Sequence, residues 1–162
     1  MDKSVDSVDK SQFYRDFSML IGEFQHTLDS KKRVALPAKF RNELGRTAVV
    51  TRGLDKCLFV YPLKEWEKVA LSLSSLPTGQ ASTRSFVRLF LAGAANVSAD
   101  RLGRILIPDY LKSYAELSDK VVITGVYKRL EIWDAGRWEA YKNEIEKQAD
   151  VLAEKLGEIG AY

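Results

Sequence analysis

The nine residues Asp29-Ser30-Lys31-Lys32-Arg33-Val34-Ala35-Leu36-Pro37 return as Asp100-Arg101-Leu102-Gly103-Arg104-Ile105-Leu106-Ile107-Pro108, so this chain carries one small unit twice. The match continues downstream. Ala48-Val49-Val50-Thr51 aligns with Val121-Val122-Ile123-Thr124, Leu58-Phe59-Val60-Tyr61 with Leu130-Glu131-Ile132-Trp133, and Trp66 with Trp138. The offset is 71 residues at the aspartates (29 to 100), 73 at the threonines (51 to 124) and 72 at the tryptophans (66 to 138), a drift that small loop changes explain. Two copies are too few for a solenoid, which needs about three stacked units. A pseudo-two-fold arrangement of related halves is therefore expected.

With 162 residues, of which 46% are hydrophobic, the chain can bury a core as one pseudo-symmetric domain or two joined halves. No apolar run approaches the roughly 18 to 20 residues that span a bilayer, and the first eighteen residues have no apolar stretch of secretory type. The expected location is the cytoplasm. The single cysteine, Cys57, sits in an apolar strand pattern and reads as a small buried side chain.

Net charge is only +3, but it is unevenly placed. Lys31, Lys32, Arg33, Lys39, Arg41, Arg46 and Arg52 face one acid, Glu43, between residues 31 and 52, whereas residues 131–158 hold eight acids and four bases. A basic surface centred on the first copy would attract polyanions, although a solvated charged face explains the same run.

Residues 1–18 are polar and aperiodic and read as a disordered extension, with Met19 an alternative start. Residues 19–76 form the first unit with a trailing helix, residues 77–94 a linker and connecting helix, and residues 95–162 the second unit with a C-terminal helix. Within the first unit the pattern predicts a strand over 20–28, a turn at 29–32, a short strand over 33–36 and a helix opened by Pro37 and stopped by Gly45. A hairpin over 48–51 and 57–61 follows. The spacing of Leu63, Trp66, Val69, Ala70, Leu73 and Leu76 then predicts an amphipathic helix. The second unit repeats that order and closes on one long helix, in which Trp138, Tyr141, Ile145, Leu152 and Leu156 make an apolar stripe.

Each copy places an Asp-x-x-x-Arg turn between two strands, just before a proline-started helix. An aspartate that opens a turn accepts backbone N–H groups two residues on and stiffens the loop. An arginine held at such a rim can present its planar fork to a phosphate or to guanine O6 and N7. A two-stranded β-element also fits the major groove. The competing reading is that Asp29 pairs with Arg33, and Asp100 with Arg104, only to close the turn. Gly103 occupies the tight point of the second turn, where positive φ costs it little. Lys32 stands there in the first, at a cost on the order of 1 kcal/mol if that position is left-handed.

These motifs, together with Leu36-Pro37-Ala38-Lys39-Phe40-Arg41, Thr51-Arg52-Gly53-Leu54-Asp55, Pro62-Leu63-x-x-Trp66 and Phe86-Val87-Arg88-Leu89-Phe90-Leu91-Ala92-Gly93, resemble the MraZ family, a duplicated relative of the AbrB and SpoVT swapped-hairpin domains. The resemblance covers about residues 19 to 158. It departs at Lys32, where the family usually has glycine, and in the N-terminal extension. It implies an α+β fold of two pseudo-symmetric β-α-β halves with amphipathic helices, and assembly into a ring homo-oligomer. It further implies a nucleoid-associated regulator, usually a repressor, that binds guanine-containing direct repeats upstream of the division and cell wall gene cluster. The family's DNA contacts carry over to the Asp29–Arg33 and Asp100–Arg104 segments. The expected contact residues are Asp29, Lys31, Lys32, Arg33, Asp100, Arg101 and Arg104, with the first, more basic copy the stronger contact.

An enzyme finds little support. His26 is the only histidine, and no metal-ligand cluster or phosphate-cradling glycine loop is present, so no catalytic residue, metal or cofactor is assigned and no small-molecule substrate is expected. The other rival is an antitoxin-like interaction module that uses the acidic C-terminal helix. The expected partners are double-stranded DNA and further copies of the chain, with no membrane contact.

Overall fold

Each half of the duplication hands its first strand to the other half. The computed structural model describes residues 19–161. Its elements are β1 (Leu20–Thr27), β2 (Arg33–Ala35), α1 (Ala38–Leu44), β3 (Thr47–Arg52), β4 (Leu58–Pro62), α2 (Leu63–Ser74) and α3 (Ala81–Leu91), then β5 (Ala95–Ser98), β6 (Arg104–Leu106), α4 (Asp109–Tyr114), β7 (Lys120–Tyr127), β8 (Leu130–Asp134), α5 (Ala135–Lys147) and α6 (Ala149–Glu158). Six strands make one sheet in the order β1-β7-β8-β4-β3-β5, while β2 and β6 pair as a separate ribbon. β1 of the first copy lies antiparallel to β7 of the second (Phe24 opposite Ile123), and β5 of the second lies antiparallel to β3 of the first (Val49 opposite Asn96). The pseudo-two-fold passes between β4 and β8 (Phe59 opposite Glu131) and through the ribbon (Val34 opposite Ile105). The fold is α+β with duplicated β-α-β halves, and the halves are interleaved. The expectation for residues 1–18 lies outside the described residues.

Period-2 alternation in β4 and β8 sends side chains to two different cores. Leu58, Val60, Leu130 and Ile132 face a mainly aliphatic cluster that also takes in Val34 and Ile105 from the ribbon, Phe40 and Leu44 from α1, and Leu111 from α4. Phe59, Tyr61 and Trp133 face an aromatic cluster closed by Phe90, Trp66, Phe86 and Trp138. The ribbon is thereby pinned to the sheet, since full burial of Val34 and Ile105 is worth about 1.5 to 3 kcal/mol each. Cys57 is buried in the aromatic cluster, and desolvation pushes its thiol pKa far up, which leaves it unreactive.

Two local details differ from the sequence reading. Pro37 (φ −52, ψ 137) and Pro108 (φ −56, ψ 146) sit one residue before the helices, as extended N-caps, and their carbonyls accept the N–H groups of Phe40 and Arg41, and of Leu111 and Lys112. The expected long final helix is interrupted at Gln148, whose N–H donates to the Ile145 carbonyl three residues back. Upstream of that break Trp138 and Tyr141 pack on Trp133, with ring centroids 5.2 and 5.0 Å away. Neither α5 nor α6 has a fully buried residue.

Candidate nucleic-acid interface

The two Asp-x-x-x-Arg turns are built by the same set of bonds. In the first, Asp29 Oδ1 accepts the N–H groups of Lys31 (2.8 Å) and Arg33 (2.9 Å), and Oδ2 accepts Arg33 Nε at 2.9 Å. In the second, Asp100 Oδ1 accepts Leu102 and Arg104 N–H, both at 2.9 Å, and Oδ2 accepts Arg104 Nε at 2.7 Å. Backbone bonds Lys32 N–H to Asp29 O and Gly103 N–H to Asp100 O, both 3.0 Å, complete the turns. Each carboxylate thus spends its acceptors on a rigid loop and on one Nε, and leaves that arginine's two Nη groups to point elsewhere. Both carboxyls titrate below their usual range. The largest lowering cause is the backbone N–H of Arg33 on Asp29 and of Arg104 on Asp100, followed by the side chains of the same arginines.

Pairing in the ribbon decides where the arginines point. Val34 and Ile105 go inward, so Arg33, Ala35, Arg104 and Leu106 share the outward face, with Arg33 opposite Leu106 and Arg104 opposite Ala35. The two guanidiniums lie diagonally on one short surface. They are coupled, because Arg104 Nη1 also comes within 3.9 Å of Asp29 Oδ2. The turn-closing pairs of Asp29 with Arg33 and Asp100 with Arg104 are therefore present, and they orient the free ends of both arginines.

The surroundings of the two loops are crossed. Ile107 N–H donates to Lys32 O (2.8 Å) and Leu36 N–H to Gly103 O (2.9 Å), so each loop docks beside the helix of the other copy. Lys32 and Gly103 both have positive φ, 60° and 73°. A side chain at Gly103 would run into the Arg41 guanidinium of α1, itself fixed by an Nε bond to Leu36 O at 2.8 Å. Lys32 holds the equivalent position in the first loop, and its ammonium pairs with Asp109 at the start of α4.

The same crossing changes the charge balance. Ala99 N–H, just before the second loop, donates to Arg46 O (3.0 Å), and Leu28 N–H, just before the first, donates to Asp119 O (2.7 Å). Arg46 and Asp119 therefore hold corresponding positions with opposite charge. Along the sequence the basic run belongs to the first loop, but the fold carries Arg41 and Arg46 out of that run to the second. The predicted site residues Asp29, Lys31, Lys32 and Arg33 stand at one end of the ribbon face, and Asp100, Arg101 and Arg104 at the other. Arg41, Arg46 and Asp109 were not placed at the site by the sequence reading. The crowding of basic residues around Arg41 and Arg46 was visible, but not which loop they would meet.

Among the described residues no helix is long and apolar enough to cross a membrane, and no group of three or more His, Cys, Asp or Glu could hold a metal ion. A family model described as "MraZ protein, putative antitoxin-like" matches residues 19–89 and again residues 90–156. The chain is 49% identical over 138 residues to a transcriptional regulator MraZ of Moorella thermoacetica, covering 85% of this chain and 96% of that protein. It is 47% identical over 142 residues to one of Acetivibrio thermocellus, covering 88% and 99%. To one of Pediococcus pentosaceus it is 49% identical over 142 residues, with the same shares.

Proposed function

The chain belongs to the MraZ family, and from that premise we propose that it is a sequence-specific DNA-binding transcriptional regulator that works on the nucleoid in the cytoplasm. The observation that carries this reading is the shared outward face of the ribbon, where Arg33 and Arg104 are each oriented through Nε by an aspartate on their own loop. A fixed fork of this kind suits guanine O6 and N7 or a phosphate, and Lys31, Lys32 and Arg101 flank it. The names of the relatives support regulation of transcription. The finer reading is a repressor of the division and cell wall gene cluster, acting on guanine-containing direct repeats.

One subunit with a net charge of +3 and two small loops neutralises few phosphates, and affinity follows that number. A ring homo-oligomer on spaced repeats answers this, since linked sites gain roughly 10² to 10⁴ in avidity. Exposed Leu63 and Leu71 on α2, and Val151, Leu152 and Leu156 on α6, supply apolar surface for self-association. The word antitoxin in the family description favours a second reading in which α6 instead holds another protein; a stoichiometric co-purifying partner would select it.

Fluorescence anisotropy with the promoter of the chain's own gene cluster, with mass measured in parallel, tests the main reading. The double variant Arg33→Ala, Arg104→Ala is expected to lose about 30-fold or more in affinity, the two fork contacts together giving roughly 2 kcal/mol. Unchanged affinity in a folded protein would refute it.

A further inference from the structure

Beside the second loop, Arg41, Asn42, Arg46, Asp100, Arg101 and Gly103 line an open depression of about 690 Å³. Three arginines line it against one aspartate, and that carboxylate is already bonded to Arg104. Its parts are held in place. Arg41 is fixed through Nε on Leu36 O, the Arg46 carbonyl is bonded to Ala99 N–H, and the missing side chain of Gly103 makes room for the Arg41 guanidinium. A smaller depression beside the first loop, about 340 Å³, lies at the start of α4 and is lined by Ser30, Lys31, Lys32 and Asp109, with Lys32 spent on Asp109.

We infer that the depression between the end of α1 and the Asp100–Arg104 loop is a binding site for a phosphodiester of the DNA backbone, with Arg46 and Arg101 as its direct contacts and Arg41 as the residue that positions the loop. This rests on the reading of the chain as a DNA-binding regulator and adds to it a division of labour. The ribbon face reads bases, and the depression fixes the duplex by charge. Contacts to phosphate position a protein on DNA without carrying sequence information. Crossing is what builds the site, since no single copy supplies both Arg46 and Arg101.

The full-length Arg46→Ala chain should be titrated by anisotropy with a repeat-containing duplex and with a scrambled duplex of the same length, each across a series of salt concentrations. Affinity should fall by a similar factor, about 3- to 10-fold, on both duplexes. The slope of log K against log salt should become shallower by about 0.9 for each subunit engaged. Arg46→Lys, which keeps the point charge, should retain most of the slope. A loss confined to the repeat duplex would overturn the inference, because it would make Arg46 a reader of bases. So would unchanged affinity and slope for Arg46→Ala while the Arg33→Ala, Arg104→Ala double variant loses binding, and in that case the DNA reading would survive. Failure of the double variant to lose binding in a folded protein would instead remove the DNA reading itself.

Discussion

The Asp29–Arg33 and Asp100–Arg104 loops share their internal hydrogen bonds to within 0.2 Å and differ in what the rest of the chain sets beside them. The first loop has Lys31 and Lys32 of its own, but its lysine at the tight point is neutralised by Asp109, and Asp119 occupies the strand-entry position. The second has glycine there and only Arg101 as an added base, yet it receives Arg41 and Arg46 from the opposite copy. A loop's electrostatic character in a strand-swapped fold is thus set by its neighbour's sequence as much as by its own. Duplication preserved the geometry of the turn and left the flanking charge free to diverge.

The largest expected break in this comparison comes from giving the second loop the residue of the first. Gly103→Lys should lower stability by about 3 kcal/mol, combining left-handed backbone cost with overpacking against Arg41. A urea midpoint equal to that of the parent chain would mean that Arg41 swings aside freely.

Next in size are the single arginine variants. Arg104 touches both aspartates and stands beside the more basic depression, so Arg104→Ala should weaken promoter binding about 10-fold, a change of about 1.4 kcal/mol. For Arg33→Ala the expected loss is smaller, about 3-fold. The opposite order in anisotropy would return the weight to the loop with more charge in its own sequence.

A smaller effect separates the loops by pH. Both aspartates have folded pKa values below the ordinary 3.8. Their stabilising contribution is therefore complete above that value and is lost as pH falls through the lowered folded pKa. Asp29→Asn and Asp100→Asn should each flatten the fall in urea midpoint between about pH 5 and pH 2.5. Asp29→Asn should flatten it more, because Asp29 also lies near Arg104; equal flattening would show that the cross-loop contact is without effect.

The smallest change is expected from Lys32→Gly. Relief of a positive-φ lysine, about 1 kcal/mol, is offset by loss of an exposed ion pair worth about 0.2 to 1 kcal/mol, so the midpoint should hardly move. A clear loss would mean that Asp109 depends on Lys32.

Much of this molecule was legible before its structure. Alternation in residues 58–61 and 130–133 announced strands with two faces, and Pro37 and Pro108 announced helix starts, because both signals depend on neighbours a few residues apart. The interruption at Gln148 was not legible, since the stripe through Tyr141, Ile145 and Leu152 continues across it and no glycine or proline marks the place. The aspartate-to-arginine turn was legible for the same reason as the strands: its hydrogen bonds span two to four residues. Arg41 and Arg46 were visible only as charges in a run, because their loop lies more than fifty residues away.

By itself, then, the sequence determined that there are two units, which elements each contains, and that each holds an arginine on a rigid aspartate-closed turn. These follow from local periodicity and short-range hydrogen bonding, which a chain carries wherever it folds. Only the tertiary structure decided that the first strands are exchanged, that Arg33 and Arg104 come to share one face, and that Arg46 meets Arg101. The physical reason is that antiparallel pairing of β1 with β7, of β5 with β3 and of β2 with β6 joins segments whose contact no local pattern encodes. It is their common burial against the core that fixes the register.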